Sequence, residues 1–284
     1  MKKDTEMHFQ EERIKSLYIS IAGKIFLIKI EAKIAQSFYS KLKQAFKGFV
    51  CNKKNPIQSI KITDFLSAES RLSPSWRRTL DLEPEIFKFT QSGRNLEIFA
   101  SKKILRNWSL WHIFLDKLIV YLCDSILSHP DIILVHCAAC AKNNKGLLFL
   151  GPSKSGKTTI AKLARDWTVL SDDRILVKQT GVKFKLYQLP LLSYESCKLQ
   201  KNIQGPVVVD KIFLLRKDNA VKFKRVSKAT CFAELLERQK DLNRAFQKDI
   251  KKIFYISYGM SSAIPAFKMH FRKDGSFWKF IGRL

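Results

Sequence analysis

At 284 residues the chain has room for one large domain or two modest ones. Hydrophobic residues make up 46% of it, enough for a packed core, which excludes an intrinsically disordered chain. The 52 Lys+Arg against 25 Asp+Glu leave a net charge of +27, so anionic partners such as nucleotides, nucleic acid, acidic peptides or anionic membrane are favoured.

The opening stretch MKKDTEMHFQEE is charged and has no apolar run, so no signal peptide is expected there. Leu17 to Ala22 and Lys24 to Ile30 read as two strands joined at Gly23. From Glu31 to Phe49, apolar residues at Ile34, Phe38, Leu42 and Phe46 recur four apart and predict a helix face. Ile57 to Ile62 reads as a third strand. Residues 63–84 read as a connection, with a turn at Ser73-Pro74-Ser75. Glu85 to Thr90 and Asn95 to Ala100 form a further hairpin around Ser92-Gly93. A small α/β N-terminal domain over residues 1–105 is the expectation, followed by a second domain over 106–284.

Trp108 to Leu127 reads as a helix, with Trp111, Leu115, Leu118 and Leu122 on one side and His129-Pro130 as its stop. The longest apolar stretch, Ile113 to Val135, is interrupted by Asp116, Lys117, Asp124, His129, Pro130 and Asp131, so no membrane span is expected. The expected location is cytoplasmic. The six cysteines, Cys51, Cys123, Cys137, Cys140, Cys197 and Cys231, are then expected to be reduced. Cys137 and Cys140 have the spacing of a redox or zinc pair. They lie in an apolar, strand-like run without a second pair, so buried structural thiols are expected.

Ile132 to Ala141 reads as one strand, and Asn143-Asn144-Lys145-Gly146 as a tight turn. Thr168 to Leu170 reads as a short buried strand, and Ile175 to Lys178 and Val182 to Gln188 as a pair around Thr180-Gly181. Residues 189–205 read as irregular. Val207 to Arg216 and Val221 to Val226 read as strands, Ala229 to Arg238 and Leu242 to Phe254 as helices. Ala266 to Phe271 reads as a strand and Phe277 to Ile281 as a terminal cap. No repeats are present. The lysines are spread along the chain without a long block, so nucleic acid is not the expected partner.

The stretch with the most chemistry is Leu147 to Ala164, LLFLGPSKSGKTTIAKLA. An apolar run enters a loop matching G-x-x-x-x-G-K-[ST], and a helical pattern follows, the context that motif requires. Backbone amides of such a loop cradle phosphate. Gly151, Ser153, Lys154, Ser155, Gly156, Lys157, Thr158 and Thr159 are therefore the candidate nucleotide-binding residues. Lys157 would reach the terminal phosphates, and the Thr158 hydroxyl would ligate Mg²⁺. Two carboxylate candidates follow. Asp210 ends the apolar run Val207-Val208-Val209, as the metal aspartate of common P-loop nucleotidases does. Asp172 and Asp173 come much sooner after Lys157, in Ser171-Asp172-Asp173-Arg174, a sequence that also has good turn chemistry. Adjacent carboxylates at a strand end suit one metal ligand and one general base.

Val135-His136, then Gly146 to Thr158, then Leu170-Ser-Asp-Asp-Arg-Ile175 resemble the C-terminal domain of HPr kinase/phosphorylase, in the superfamily of the phosphoenolpyruvate carboxykinases. Leu189-Pro190, Asp210 to Lys217 and Ile264 to Phe271 are similar to shorter kinase-like relatives. Some of those are encoded beside ribosomally made peptides such as lasso peptides, where they phosphorylate a precursor serine. The resemblance implies an α/β fold with a mixed sheet, ATP or GTP with Mg²⁺ as cofactors, and a peptide or small-protein phosphoacceptor. It implies Asp172, Asp173 and His136 as catalytic residues, and Thr158 and Asp173 as metal ligands. The N-terminal domain would recognise substrate or support a homo-oligomer. The family loop usually has glycine where Lys154 stands, a backbone position that lysine adopts at a cost. Glu195 is the candidate for a further metal-binding glutamate. The alternatives are an ordinary P-loop ATPase or GTPase using Asp210, and a nucleotide- or peptide-binding module without chemistry.

Overall fold

A computed structural model of the chain describes residues 14–31, 34–52, 55–64, 87–92, 95–190, 205–240, 249–282 and 284. The turn expected at Ser73 to Ser75, Gly93, Glu195, Cys197 and the start of the helix expected from Leu242 lie outside the described residues. The chain is a mixed α/β protein. It divides into two compact units, Met1–Leu122 and Cys123–Leu284.

The first unit holds a five-stranded sheet in the order β1-β2-β3-β5-β4. Strands β1 (Ile14–Ile21) and β2 (Lys24–Glu31) pair antiparallel. Ala22 and Gly23 between them have φ of 51° and 77°, the doubly positive pattern of a two-residue hairpin turn. Helix α1 (Ala35–Ala45) carries the chain across to β3 (Gln58–Asp64), which runs parallel to β2. Ile34, Phe38, Leu42 and Phe46 are all buried, as their spacing predicts. The helix begins at Ala35 rather than Glu31, because Glu31 is held in the ladder opposite Ile14. Strands β4 (Phe87–Ser92) and β5 (Asn95–Ala100) form the expected hairpin, and β5 lies parallel to β3. A one-turn helix, α2 (Lys103–Arg106), precedes α3 (Trp108–Leu127). The Phe38 ring meets Trp111 and Phe114 edge-on at 5.9 and 5.7 Å. The division between the units falls within α3.

The second unit is built on a nine-stranded sheet. The single strand expected over Ile132 to Ala141 is two strands, β6 (Ile132–His136) and β7 (Ala138–Lys142), broken at Cys137. Strands β9 (Thr168–Ser171) and β10 (Arg174–Thr180) are broken at the same level by Asp172 and Asp173. Strand β6 pairs with β10, and β7 pairs with β9. At the break the Cys137 amide donates to the Asp173 carbonyl at 2.9 Å. Both strands are therefore interrupted at one level, with His136, Asp172 and Asp173 flanking the break.

From β10 the pairings continue through β11 (Lys183–Tyr187), β12 (Val207–Lys217) and β8 (Lys145–Leu150) to β7, so the path runs from β6 at one end to β9 at the other. The β7–β8 turn has Asn143 and Asn144 at φ of 50° and 60°, again the two-residue hairpin pattern. Both faces of the central strands are covered. On β8, Leu148 and Leu150 belong to one core cluster, and Leu147 and Phe149 to the other. That explains a near-continuous apolar run where a half-exposed strand would alternate.

Helices α5 (Lys228–Lys240) and α6 (Ile250–Ala263) supply Leu235, Ile256 and Met260 to the first cluster. The second takes Ile160 and Ala161 from α4 (Lys157–Lys162) and Phe277 and Ile281 from the terminal turn around α7 (Trp278–Ile281). Helix α6 runs past Phe254, where the sequence pattern ends it, because Ile256 and Met260 still face the core. Strand β14 (Ala266–Phe271) lies parallel to β12, and β13 (Lys222–Arg225) pairs with β14.

Cys137 and Cys140 are both fully buried, as expected. They sit in opposite core clusters, so they face opposite sides of the sheet and cannot share a metal or a disulfide. Burial pushes both thiols far up from the usual range, which leaves them without thiolate reactivity. Among the described residues no helix is long and apolar enough to cross a membrane.

Candidate functional site

The loop from Gly151 to Gly156 leaves the end of β8 and delivers Lys157 at the start of α4. Gly156 has φ of +107°, which side-chain-bearing residues rarely adopt. A Cβ added there would stand 2.6 Å from Cζ of the buried Phe271 ring. Gly156 is thus required twice, by its backbone and by close approach.

Gly151 and Ser155 act under the loop. A Cβ on Gly151 would meet the Ser155 Oγ at 2.5 Å. The Ser155 amide donates to the Pro152 carbonyl, and its hydroxyl is buried without a hydrogen-bond partner. These two residues shape the loop, whereas Ser153, Lys154, Gly156, Lys157, Thr158 and Thr159 line the pocket above it. Helix α4 has only six residues, so its dipole is small and the loop amides and Lys157 supply most of the positive field.

Lys154 stands at φ of +63°, the left-handed conformation that glycine takes freely. Lysine there costs about 1–2 kcal/mol, partly offset because glycine loses more freedom on folding. Lys154→Gly is therefore expected to raise the melting temperature by about 1–2 °C. It is also expected to weaken binding of inorganic tripolyphosphate about two- to fivefold, since one exposed cation leaves the pocket. Calorimetry on the two proteins measures both effects. A lower melting temperature would mean that the Lys154 side chain holds the loop.

Strand register brings the carboxylates to this loop. Ala138 pairs with Phe149, so the start of β7 lies beside the end of β8. Ser171 pairs with Ala139, so the end of β9 lies beside the start of β7. His136, Asp172 and Asp173 consequently line the same pocket of about 510 Å³ as the loop. The Ser171 hydroxyl accepts from the amides of Asp173 and Arg174 at 3.2 and 2.9 Å. The turn chemistry of Ser-Asp-Asp-Arg is therefore real, and it is what aims the pair. The Asp173 carboxylate takes the Arg174 Nε at 2.7 Å and lies 3.6 Å from the His136 Nε2. Asp172 is buried. The Lys157 ammonium donates to the carbonyls of Gly151 and Pro152 at 2.9 and 3.1 Å.

Asp210 is placed elsewhere. It is the bulged residue of β12, between Val209 opposite Gly146 and Lys211 opposite Leu147. Those partners are at the start of β8, whereas the loop leaves from its end, level with Leu214. Four residues of strand, about 13 Å, separate the two levels. The Asp210 carboxylate pairs with the neighbouring Lys211 at 2.5 Å. The residue that β12 does send to the pocket is Lys217, which sequence reasoning missed. Its only signal was position, at the end of a strand that turns out to be parallel to β8.

The pocket has the oxygen donors a hard cation takes: the Thr158 hydroxyl and the two carboxylates. Among the described residues no group of three His, Cys, Asp or Glu could hold a metal by itself. That fits Mg²⁺, which is usually held by one or two carboxylates together with substrate phosphates.

A family described as "SynChlorMet cassette protein ScmC" matches residues 107–284, well over half of the chain. The chain belongs to the ScmC family. The ScmC match takes in α3, the whole second unit and every pocket residue named above. No curated protein matches the chain. Among solved structures, the Hpr(Ser) kinase/phosphatase from Coxiella burnetii is similar at 13% identity, over 53% of this chain and 87% of that one, with a TM-score of 0.32. That score does not decide the fold, which rests on the pairings described above.

Proposed function

We propose that this chain is a nucleotide-dependent kinase with an HPr kinase-like P-loop domain, transferring a γ-phosphoryl group to a hydroxyl, that of a serine in a peptide or small protein. The observation that carries this reading is the strand register that brings Asp172, Asp173 and His136 to the Gly151–Thr158 loop. A loop alone would support nucleotide binding. A carboxylate pair and a histidine around the same pocket add what phosphoryl transfer to a hydroxyl needs: a proton acceptor and groups that orient the reacting oxygens.

In this reading Ser153, Lys154, Thr159 and the loop backbone hold the phosphates. Lys157 leaves the carbonyls of Gly151 and Pro152 to neutralise charge on the transferred group. Asp172 and Asp173 divide two roles: accepting the hydroxyl proton and, with Thr158, holding Mg²⁺. Bound there, Mg²⁺ would offset phosphate charge. His136 lies against Asp173 and would orient it or meet the phosphoryl oxygens. The basic balance of the chain favours capture of an acidic acceptor. Residues 1–105 would recognise that acceptor or support a homo-oligomer. The family description speaks of a cassette, so the genes beside this one are where an acceptor, including a ribosomally made precursor peptide, is best sought.

The test is incubation of the purified chain with γ-labelled ATP, Mg²⁺ and the product of a neighbouring short reading frame. Label is expected on a peptide serine, with Lys157→Ala lowering transfer at least about 100-fold. Phosphate release without peptide labelling would point instead to an ordinary nucleotidase. Nucleotide binding with neither would leave a sensing module.

A further inference from the structure

A second cleft, of about 700 Å³, opens beside the loop pocket. It lies where β12 and β14 end, between Lys217-Asp218-Asn219 and the segment Phe271 to Asp274. Lys217 lines both cavities. Strands β8, β12 and β14 are parallel, with Leu150 opposite Leu214 and Lys217 opposite Phe271. Their carboxyl ends therefore share one edge, where ligands of open α/β sheets bind. Along that edge the order is β9, β7, β8, β12, β14. With strands about 4.8 Å apart, Asp172 and Asp173 lie two strands to one side of the loop, and the second cleft one to two strands to the other.

In-line transfer puts the attacking and leaving oxygens on opposite sides of the phosphorus. The acceptor hydroxyl gives its proton to a carboxylate and forms a bond to the γ-phosphorus. The bond from that phosphorus to the oxygen bridging to the β-phosphate breaks, and the nucleoside diphosphate leaves with the electron pair. If the carboxylates mark the side of attack, the leaving diphosphate points toward β12 and β14. We infer that the second cleft takes the nucleoside half of the nucleotide, its ribose and α-phosphate, with Lys217 bridging the two cavities. This rests on reading the loop as a phosphate site.

The chemistry of the cleft suits that ligand. Lys217, Arg272 and Lys273 supply cations for the α-phosphate, and Asn219 an amide for the ribose. The two carboxylates are already engaged. Asp218 bonds the His270 ring at 2.8 Å, and Asp274 accepts from Ser276 and pairs with Arg272 at 3.0 Å. They are fixed as hydroxyl acceptors, and the cations outnumber them. Phe271 packs against Gly156, so the floor of this cleft and the loop are one packed unit.

The experiment is calorimetric titration of ADP and of inorganic tripolyphosphate, each with Mg²⁺, into the wild type, Asn219→Ala, Lys273→Ala and Lys157→Ala. Asn219 and Lys273 are exposed, so the variants should melt as the wild type does. ADP affinity is expected to fall about tenfold in Asn219→Ala and Lys273→Ala, with tripolyphosphate affinity changed less than about twofold. Lys157→Ala should weaken both ligands. If the two cleft variants bind ADP as the wild type does, or lose both ligands in parallel, the inference fails and the phosphate site stands. If the wild type binds tripolyphosphate but not ADP, the inference fails in the same way. If it binds neither, the phosphate-loop reading fails and takes the inference with it.

Discussion

Asp172→Asn and Asp173→Asn are each expected to slow phosphoryl transfer by about 100- to 10,000-fold, the range lost with a general base or its partner. Asp210→Asn is expected to change it by less than about threefold, since it touches nothing that reacts. The contrast follows from register. Asp172 and Asp173 stand at the break between β9 and β10 beside the loop, while Asp210 stands on a bulge toward the other end of β12. Asparagine keeps the shape of each side chain and the Ser171-centred turn, which uses backbone amides. Melting curves should therefore stay close to the wild type. Labelled-phosphate transfer measured on the three variants decides the matter. Loss of turnover in Asp210→Asn alone would remove the carboxylate pair from the chemistry and favour the ordinary nucleotidase.

The second large effect concerns Gly156. Gly156→Ala must hold a side-chain-bearing residue at φ of +107°, and its Cβ would overlap the Phe271 ring at 2.6 Å. Strained backbone of this kind costs about 1–3 kcal/mol, and forcing a buried ring aside about as much again. The sum, about 2–6 kcal/mol, is a large share of the about 5–15 kcal/mol that holds a domain together. A melting temperature lower by at least about 5 °C is expected, together with loss of tripolyphosphate binding, because the loop amides move. The double variant Gly156→Ala with Phe271→Leu separates the two causes. It should recover the packing part and not the backbone part. Full recovery would show that the φ value does not matter; no recovery would show that the ring does not.

Much of the site was readable because its chemistry is local. The loop motif, Lys157 and Thr158 are contiguous, and Ser171 to Arg174 is a self-contained turn. The strain at Lys154 was also legible, since a glycine is expected at that point of the loop and lysine was found there, now seen at φ of +63°. The helix Trp108–Leu127 and the hairpins at Gly23 and Asn143-Asn144 were readable for the same reason, as periodicity and turn residues are properties of short windows.

What the sequence by itself determined is therefore the set of local devices: a G-x-x-x-x-G-K-[ST] loop between strand and helix, a carboxylate pair in a turn, and strands apolar enough to be buried on both faces. Only the tertiary structure decided which of them meet. The break at Cys137 was invisible because Ile132 to Ala141 is apolar apart from His136 and carries no Gly, Pro or turn residue. The break accompanies the change of ladder partner between β10 and β9, a long-range pairing. Asp210 and Lys217 lie on one strand, and either could have faced the loop. A one-residue bulge and parallel pairing with β8 put Lys217 at the pocket and Asp210 about 13 Å along the strand from the level where the loop leaves β8. The close approach of Phe271 to Gly156 joins residues 115 positions apart and exists only because β14 lies beside β12. Local propensity chooses each element, but register between distant strands chooses the neighbours of every reactive side chain, and register is set by packing that no short window contains.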